Sequence, residues 1–413
     1  MKERWNGMNH AISQKRLALS GGKVLSPGGK LVRATLILEG TSILGLLPEG
    51  AEIPDNTDLL DVSGCTVAPG FIDTHVHGGG GHNFMTGTQE ALSAISRYMV
   101  RGGVTACLAT TTSASLTDLT LALENAARAK QSPPPGQVEV VGVHLEGPFV
   151  NPQFRGVHDE QHVRQATPSE LEAIWGASGS TLRVVTLAPE QPGGMEAVRF
   201  LAKRGVQVSM GHTGATYDEA RMALMNGVRR GTHVFNAMPP IHHREPGPLT
   251  ALLGDSSAFL ELIVDGYHVN PVVIDMTLRL AGPERVVLIT DCTDVAGQGE
   301  GTFTRWEGTE VVIKDGQSRT PSGSLAGSIL SMDHAVRNLV KFGVPLHNAL
   351  RMATETPARS IGVFDRKGSL SPGKDADVVV LGNDLSTTMT IVRGEIAYER
   401  ERHTAEFRTD SES

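Results

Sequence analysis

Short runs rich in Val, Ile and Leu recur through the middle of the chain, at 67–72, 104–109, 138–145, 182–187, 206–210, 232–235, 259–264 and 285–290. Each has the length of a buried strand, and Gly, Pro or polar residues bound them. Helical spacing fills many of the gaps. Over 88–101, Ala91, Leu92, Ile95, Tyr98 and Met99 share one face, and Gly102-Gly103 stops the pattern. Thr167-Pro-Ser-Glu170 reads as a capping box with Pro at the first helical position. Further helices are predicted at 194–203, 216–226, 271–281, 328–341 and 345–354. Strands alternating with helices predict a TIM-like (β/α)8 barrel over 67–364. The two ends have another texture. Short apolar runs such as 31–38 and 42–47 are broken by Gly and Pro, and the same texture returns at 368–381, 389–393 and 395–398. Residues 1–66 and 365–400 are therefore predicted to build one small, β-sandwich-like domain, with 401–413 as a polar, frayed tail.

Composition narrows the class. The chain has 413 residues, 39% of them hydrophobic and 20% charged, as in a soluble globular protein of one large and one small domain. The net charge of -8 argues against nucleic acid as a partner, yet leaves room for a small anion held by a few local cations. Cys65, Cys107 and Cys292 are far apart and form no CxxC pair, so neither a disulfide framework nor a Cys-rich zinc site is expected. The N-terminal residues lack a signal-like apolar stretch, and no run reaches the ~20 apolar residues of a membrane span. A cytoplasmic location without membrane contact is the expectation.

The chemistry lies at the ends of the apolar runs. Asp73-Thr-His75-Val-His77 follows the first, His144-Leu-Glu146 ends the third and Gly211-His212-Thr213 the fifth. His233 lies in the sixth, Asp265-Gly-Tyr-His268 ends the seventh, and Asp291 follows the eighth. In a barrel all C-terminal strand ends meet at one rim, so residues distant in sequence converge there. Two His at i and i+2 on a strand point to one side, which suits paired imidazole ligation. Taken singly, His212 and His233 read as structural residues, and Asp291 equally well as a helix N-cap. The glycines 78–81 lack the Lys-Ser/Thr ending of a phosphate-binding loop and read as backbone passing close to a metal.

Asp73-Thr-His75-Val-His77-Gly78, Gly211-His212-Thr213 and Thr290-Asp291 together resemble the amidohydrolase superfamily. Finer motifs are His144-Leu-Glu-Gly-Pro-Phe149, Gly156-Val-His158, Thr232-His-Val-Phe-Asn-Ala-Met238, Arg244-Glu-Pro-Gly247, Asp265-Gly-Tyr-His268 and Ser324-Leu-Ala-Gly-Ser328. With these the chain is similar, from about 67 to 381, to the N-acetylglucosamine-6-phosphate deacetylase family. The resemblance implies hydrolysis of the acetamide of N-acetylglucosamine 6-phosphate to glucosamine 6-phosphate and acetate. It implies Glu146, His212 and His233 as metal ligands, with His75 and His77 building a second position and Glu146 a bridge. Asp291 matches the catalytic acid–base, and His158 the group that hydrogen-bonds the acetyl oxygen. Val157, Asn236, Ala237, Arg244, Asp265, His268, Leu325, Ala326 and Gly327 match the substrate-binding positions. Arg244 and His268 belong to the phosphate site, and the arginine is supplied by the partner subunit, which implies a homodimer. One or two divalent ions are expected, and imidazole with carboxylate does not select among Zn, Fe, Mn and Co.

Three alternatives remain at this stage. The galactosamine epimer is a close variant as substrate. Another amidohydrolase, acting on a cyclic amide or N-acyl amino acid, would need the metal rim but not Arg244 with His268. A non-catalytic assembly protein on the same barrel should have lost ligands that this chain keeps.

Overall fold

A computed structural model describes residues 15–131 and 133–401. Residues 1–14, the start of the expected small domain, and 402–413, most of the expected tail, lie outside the described residues. Six strands come first: β1 (Arg16–Ser20), β2 (Lys23–Leu25), β3 (Leu31–Glu39), β4 (Ser42–Pro48), β5 (Thr57–Asp61) and β6 (Thr66–Pro69). The barrel opens with β7 (Phe71–Val76), followed by a short hairpin, β8 (Gly78–Gly79) and β9 (His82–Asn83). Then come α1 (Gln89–Arg101), β10 (Val104–Thr110), α2 (Leu116–Gln131), β11 (Glu139–Glu146), α3 (Pro168–Ala177), β12 (Leu182–Leu187) and α4 (Gly194–Lys203). They are followed by β13 (Gln207–Met210), α5 (Tyr217–Asn226), β14 (Val228–Gly231), α6 (Gly247–Gly254), β15 (Phe259–Ile263), α7 (Pro271–Ala281) and β16 (Val286–Ile289).

The parallel strands run in the order β7-β10-β11-β12-β13-β14-β15-β16. The ends meet beyond β16. The Asp291 N–H donates to the His75 carbonyl at 2.9 Å and the His77 N–H to the Cys292 carbonyl at 2.8 Å. The fold is thus a TIM-like (β/α)8 barrel. Three antiparallel strands project after it: β17 (Gly301–Thr304), β18 (Glu310–Lys314) and β19 (Gln317–Arg319). Next are α8 (Met332–Lys341), α9 (Leu346–Ala353) and α10 (Glu355–Ser360). Finally β20 (Val378–Leu381), β21 (Thr387–Val392) and β22 (Glu395–Glu399) return to the first sheet. Its order is β22-β21-β20-β6-β2-β3-β1-β5, with β4 on β3. Both chain ends therefore build one sheet, and Leu19, Val24, Leu36 and Val67 share a core with Val378, Val380 and Ile391.

Several elements differ from expectation. The run at 67–72 is divided. Residues 66–69 pair with the small sheet, and the first barrel strand starts at Phe71. Gly70 makes the crossing, and a Cβ there would meet Thr105 at 2.2 Å. The sixth barrel strand lies at Val228–Gly231, not 232–235, because α5 ends at Gly227 (φ +130) and the chain enters the sheet at once. Residues 232–238 instead form a turn with left-handed backbone at His233, Phe235 and Ala237. Thr167 caps α3, but Glu170 turns to Arg164 (2.6 Å), so only half of the box forms there. The complete box is Thr216 with Glu219 on α5. Helices α2, α6 and α10 and the β17–β19 hairpins had no counterpart in the sequence reading. Asp315-Gly316 between β18 and β19, both at positive φ, was the available hairpin signal.

Beneath the barrel the start of β11 is tied to the segment before β20 by charge. Lys367 is fully buried, with Nζ 2.9 Å from Glu139, 2.8 Å from Asp375 and 2.5 Å from Asp377. Arg366 adds a second cation, 2.5 Å from Glu139. No helix among the described residues is long and apolar enough to cross a membrane. The three cysteines form no disulfide.

Candidate active site

The barrel rim gathers six side chains from the ends of five strands and the turns beyond them. Glu146 ends β11, and His75 and His77 lie at and just past the end of β7. His212, His233 and Asp291 follow β13, β14 and β16, and all three have left-handed backbone, at φ +48, +26 and +50. For a non-glycine residue such a conformation costs roughly 1–3 kcal/mol, held in place by the surrounding packing. It turns the side chains back over the barrel mouth instead of along the strand.

The distances are those of a ligand set. His212 Nε2 lies 3.2 Å and His233 Nε2 3.1 Å from Glu146 Oε1, and the two nitrogens are 3.1 Å apart. A tetrahedral ion with bonds of ~2.1 Å spaces its ligands by about 3.4 Å, so the three atoms surround a point within coordination reach. His77 Nε2 lies 3.2 Å from Glu146 Oε2 and 3.3 Å from Asp291 Oδ1. His75 Nε2 lies 3.4 Å from Glu146 and 3.6 Å from Asp291, buried and with no hydrogen-bond partner. An orphaned imidazole nitrogen among carboxylates is what a cation position requires. The residues present thus fit one divalent ion on Glu146, His212 and His233. They fit a second on His75 and His77, which both lie beside Glu146 and Asp291.

Hydrogen bonds fix several tautomers. His212 Nδ1 donates to the Phe154 carbonyl at 2.9 Å, which leaves Nε2 as a lone pair. At His158 the order is reversed. The Ser113 N–H donates to its Nδ1 at 3.2 Å, so the ring proton sits on Nε2, 3.5 Å from Glu146. Burial pushes the His158 pKa down to about 4, so the ring is a neutral donor near pH 7. His144 is different again. Nδ1 meets the Thr74 carbonyl (3.1 Å) and Nε2 the Thr186 hydroxyl (2.7 Å), and burial takes its pKa down to about 3. It is a satisfied structural ring. Burial alone would raise Glu146, but the charge on His75 and hydrogen bonding from the His158 and His233 rings hold it well below the carboxylate range. Asp291 is held low against burial by His75 and His77. Buried Asp73 goes the other way, up to about 7, although Thr290 donates to it at 2.5 Å.

Of these groups His77, Glu146, His158, His212, His233 and Asp291 open into a cavity of about 190 Å3. Beyond the ligands and His158 its wall includes Gly156, Val157, Asn236, Ala237, His268, Leu325 and Gly327. His268 is aimed by Asp265, whose Oδ2 accepts from Nδ1 at 2.6 Å, and Asp265 itself is not in the wall. Ala326 is fully buried with Val295, Val311 and Ile313, so of its segment only Leu325 and Gly327 reach the cavity. Arg244 is exposed on the 239–246 loop beside His243 (3.1 Å) and does not line the cavity of its own chain. Sequence reasoning missed Thr112 and Arg305. Arg305 lies between β17 and β18, buried, 2.9 Å from Glu307, with Nε and Nη1 making no hydrogen bond.

Residues 66–397 match the Amidohydrolase family, and the chain belongs to it. Among curated relatives it is 42% identical to an N-acetylgalactosamine-6-phosphate deacetylase of Escherichia coli O157:H7, over 80% of this chain and 87% of that one. It is 37% identical to an N-acetylglucosamine-6-phosphate deacetylase of Vibrio furnissii, over 83% and 86%. A mutant of the Mycobacterium smegmatis N-acetyl-D-glucosamine-6-phosphate deacetylase, solved in complex with N-acetyl-D-glucosamine-6-phosphate, superposes with a TM-score of 0.86. That match is 34% identical and covers 93% of this chain and 99% of that one.

Proposed function

We propose that this protein hydrolyses the acetamide of N-acetylglucosamine 6-phosphate, releasing acetate and glucosamine 6-phosphate. The observation that carries the reading is the cavity in which the Glu146–His212–His233 set, the Asp291 carboxylate and the proton-bearing Nε2 of His158 face one space. Glu146, His212 and His233 would hold a divalent ion, and His75 and His77 would complete a second position. Such an ion supplies Lewis acidity, which polarises a carbonyl and makes water acidic enough to attack near neutral pH.

The protein's own groups do the rest. Asp291, held ionised, takes a proton from the attacking water as the new C–O bond forms. His158 donates from Nε2 to the acetyl oxygen, where negative charge develops. Asp291 then returns its proton to the sugar nitrogen as the C–N bond breaks, so the amine departs neutral. Val157, Leu325 and Gly327 flank the sugar. The phosphate is taken by His268, the Asn236–Ala237 backbone and an Arg244 guanidinium, whose planar fork suits phosphate oxygens. Because Arg244 is exposed and does not line the cavity of its own chain, it serves the partner subunit of a homodimer in this reading. Exposed Val272, Met276 and Leu280, one stripe along α7, supply apolar surface for such a contact. A cytoplasmic location belongs to the same reading and is supported by the three cysteines, which are free thiols.

The test is acetate release from N-acetylglucosamine 6-phosphate by metal-replete protein, run beside the unphosphorylated sugar and the galactosamine epimer. Turnover favouring the phosphorylated glucosamine substrate is expected. Preference for the galactosamine epimer, in line with the Escherichia coli relative, would correct the substrate. Indifference to phosphate would sink the phosphate site.

A further inference from the structure

Glu261 sits in the middle of β15, fully buried, and nothing in the proposed reaction uses it. Its Oε2 accepts from His75 Nδ1 at 2.9 Å and from the His233 backbone N–H at 3.3 Å. Its Oε1 accepts from Arg230 Nη2 at 2.7 Å. Arg230, on β14, is also fully buried, and donates to Thr74 Oγ1 at 3.0 Å and to Ser360 Oγ. A buried ion pair of this kind is a poor source of stability, since well-packed apolar residues of similar volume do as well or better. Its value lies in what it does to His75.

A carboxylate on Nδ1 holds a proton there, so the neutral, ligating form of that ring has its lone pair on Nε2. The Nε2 atom has no hydrogen-bond partner and stands between Glu146 and Asp291. Arg230 grips the other oxygen of that carboxylate at 2.7 Å, which fixes the group in place with Oε2 turned to the ring. We infer that Glu261, backed by Arg230, is a positioning residue that fixes the tautomer and direction of His75 and thereby sets occupancy of the second ion position. Glu261, His75 and His144 also lie close enough together to suggest a separate cation site. That is excluded on two grounds. Both nitrogens of His144 are engaged, with Thr74 and Thr186, and the Arg230 guanidinium already fills the cation's place.

The inference rests on the two-ion reading, and the experiment separates the two. Metal-free protein is titrated with Co2+, counted by elemental analysis and followed by visible absorption. Because single loss of Glu261 strands a buried guanidinium, Glu261→Leu and Glu261→Gln are each made with Arg230→Met. In Glu261→Leu/Arg230→Met the second ion is expected to bind about 10- to 100-fold more weakly and the first as before. Glu261→Gln/Arg230→Met, which keeps an oxygen for the Nδ1 proton, recovers part of that loss. Two ions bound with wild-type affinity by the Leu variant overturn the inference, as does equal weakening of both ions. If wild-type protein takes one ion at every Co2+ concentration, the two-ion reading falls, and this inference with it.

Discussion

Metal affinity at the His75–His77 position should rise steeply with pH, by about 100-fold or more between pH 7 and pH 9. In the metal-free protein, protons stand in for the ion. Burial lowers the His77 pKa, but hydrogen bonds to Asp291 and Glu146 outweigh it and push the ring up to about 9. His75 is likewise held well above the usual histidine value, where Glu146, Glu261 and Asp291 together overcome burial. Only a neutral imidazole can ligate, so an ion must displace these protons. The sign follows. A raised pKa means protonation below about pH 9, hence competition that is strong at pH 7 and fades as pH rises. Two pH units below its pKa, His77 alone opposes binding by about 2.7 kcal/mol, or about 100-fold. His75 steepens the slope further. The assay is competition against a chromophoric chelator at half-unit steps of pH. Calorimetry in two buffers of different ionisation enthalpy counts the protons released, at least one per second ion. An affinity flat from pH 7 to 9, or binding without proton release, would refute the reasoning.

Three further outcomes follow from the geometry. Asp291→Asn keeps the fold and at least the Glu146–His212–His233 ion but lowers kcat by about 100- to 10,000-fold, the usual contribution of a general acid–base; near-normal turnover in a metal-replete variant would remove that role. Arg244→Met raises KM for the phosphorylated sugar and leaves the unphosphorylated one unaffected, and mixing it with an Asp291→Asn chain restores some activity if the arginine crosses between subunits. Glu139, drawn down to about 2 by Arg366 and Lys367 against burial, contributes on the order of 3 kcal/mol above its ordinary pKa of 4.5, a contribution that disappears as pH falls toward 2. The destabilisation caused by Glu139→Gln, read by urea unfolding, should therefore be larger at pH 6 than at pH 3.

Much of this protein is written in local pattern. Alternating apolar runs and helical stripes are enough for a barrel, because strand and helix periods differ and each must bury one face. The strand-end positions of Glu146, His212 and Asp291 follow from that count alone. Tertiary structure decided the rest. Local pattern cannot tell that 66–69 leave the barrel run for another sheet, since a buried strand reads the same in either. Nor does it show that 232–238 turn instead of extending, because a left-handed residue such as His233 is imposed by closure of the barrel. The proton on His158 depends on the Ser113 N–H, 45 positions away in sequence. Arg305 enters the cavity wall on a hairpin whose docking no local signal specifies. Glu261 is concealed within an apolar strand, and only packing sets it against His75 and Arg230. Residue types and their spacing determine which groups are available and at which end of the barrel. Which nitrogen holds a proton, and which carboxylate faces which ring, depends on three-dimensional neighbours.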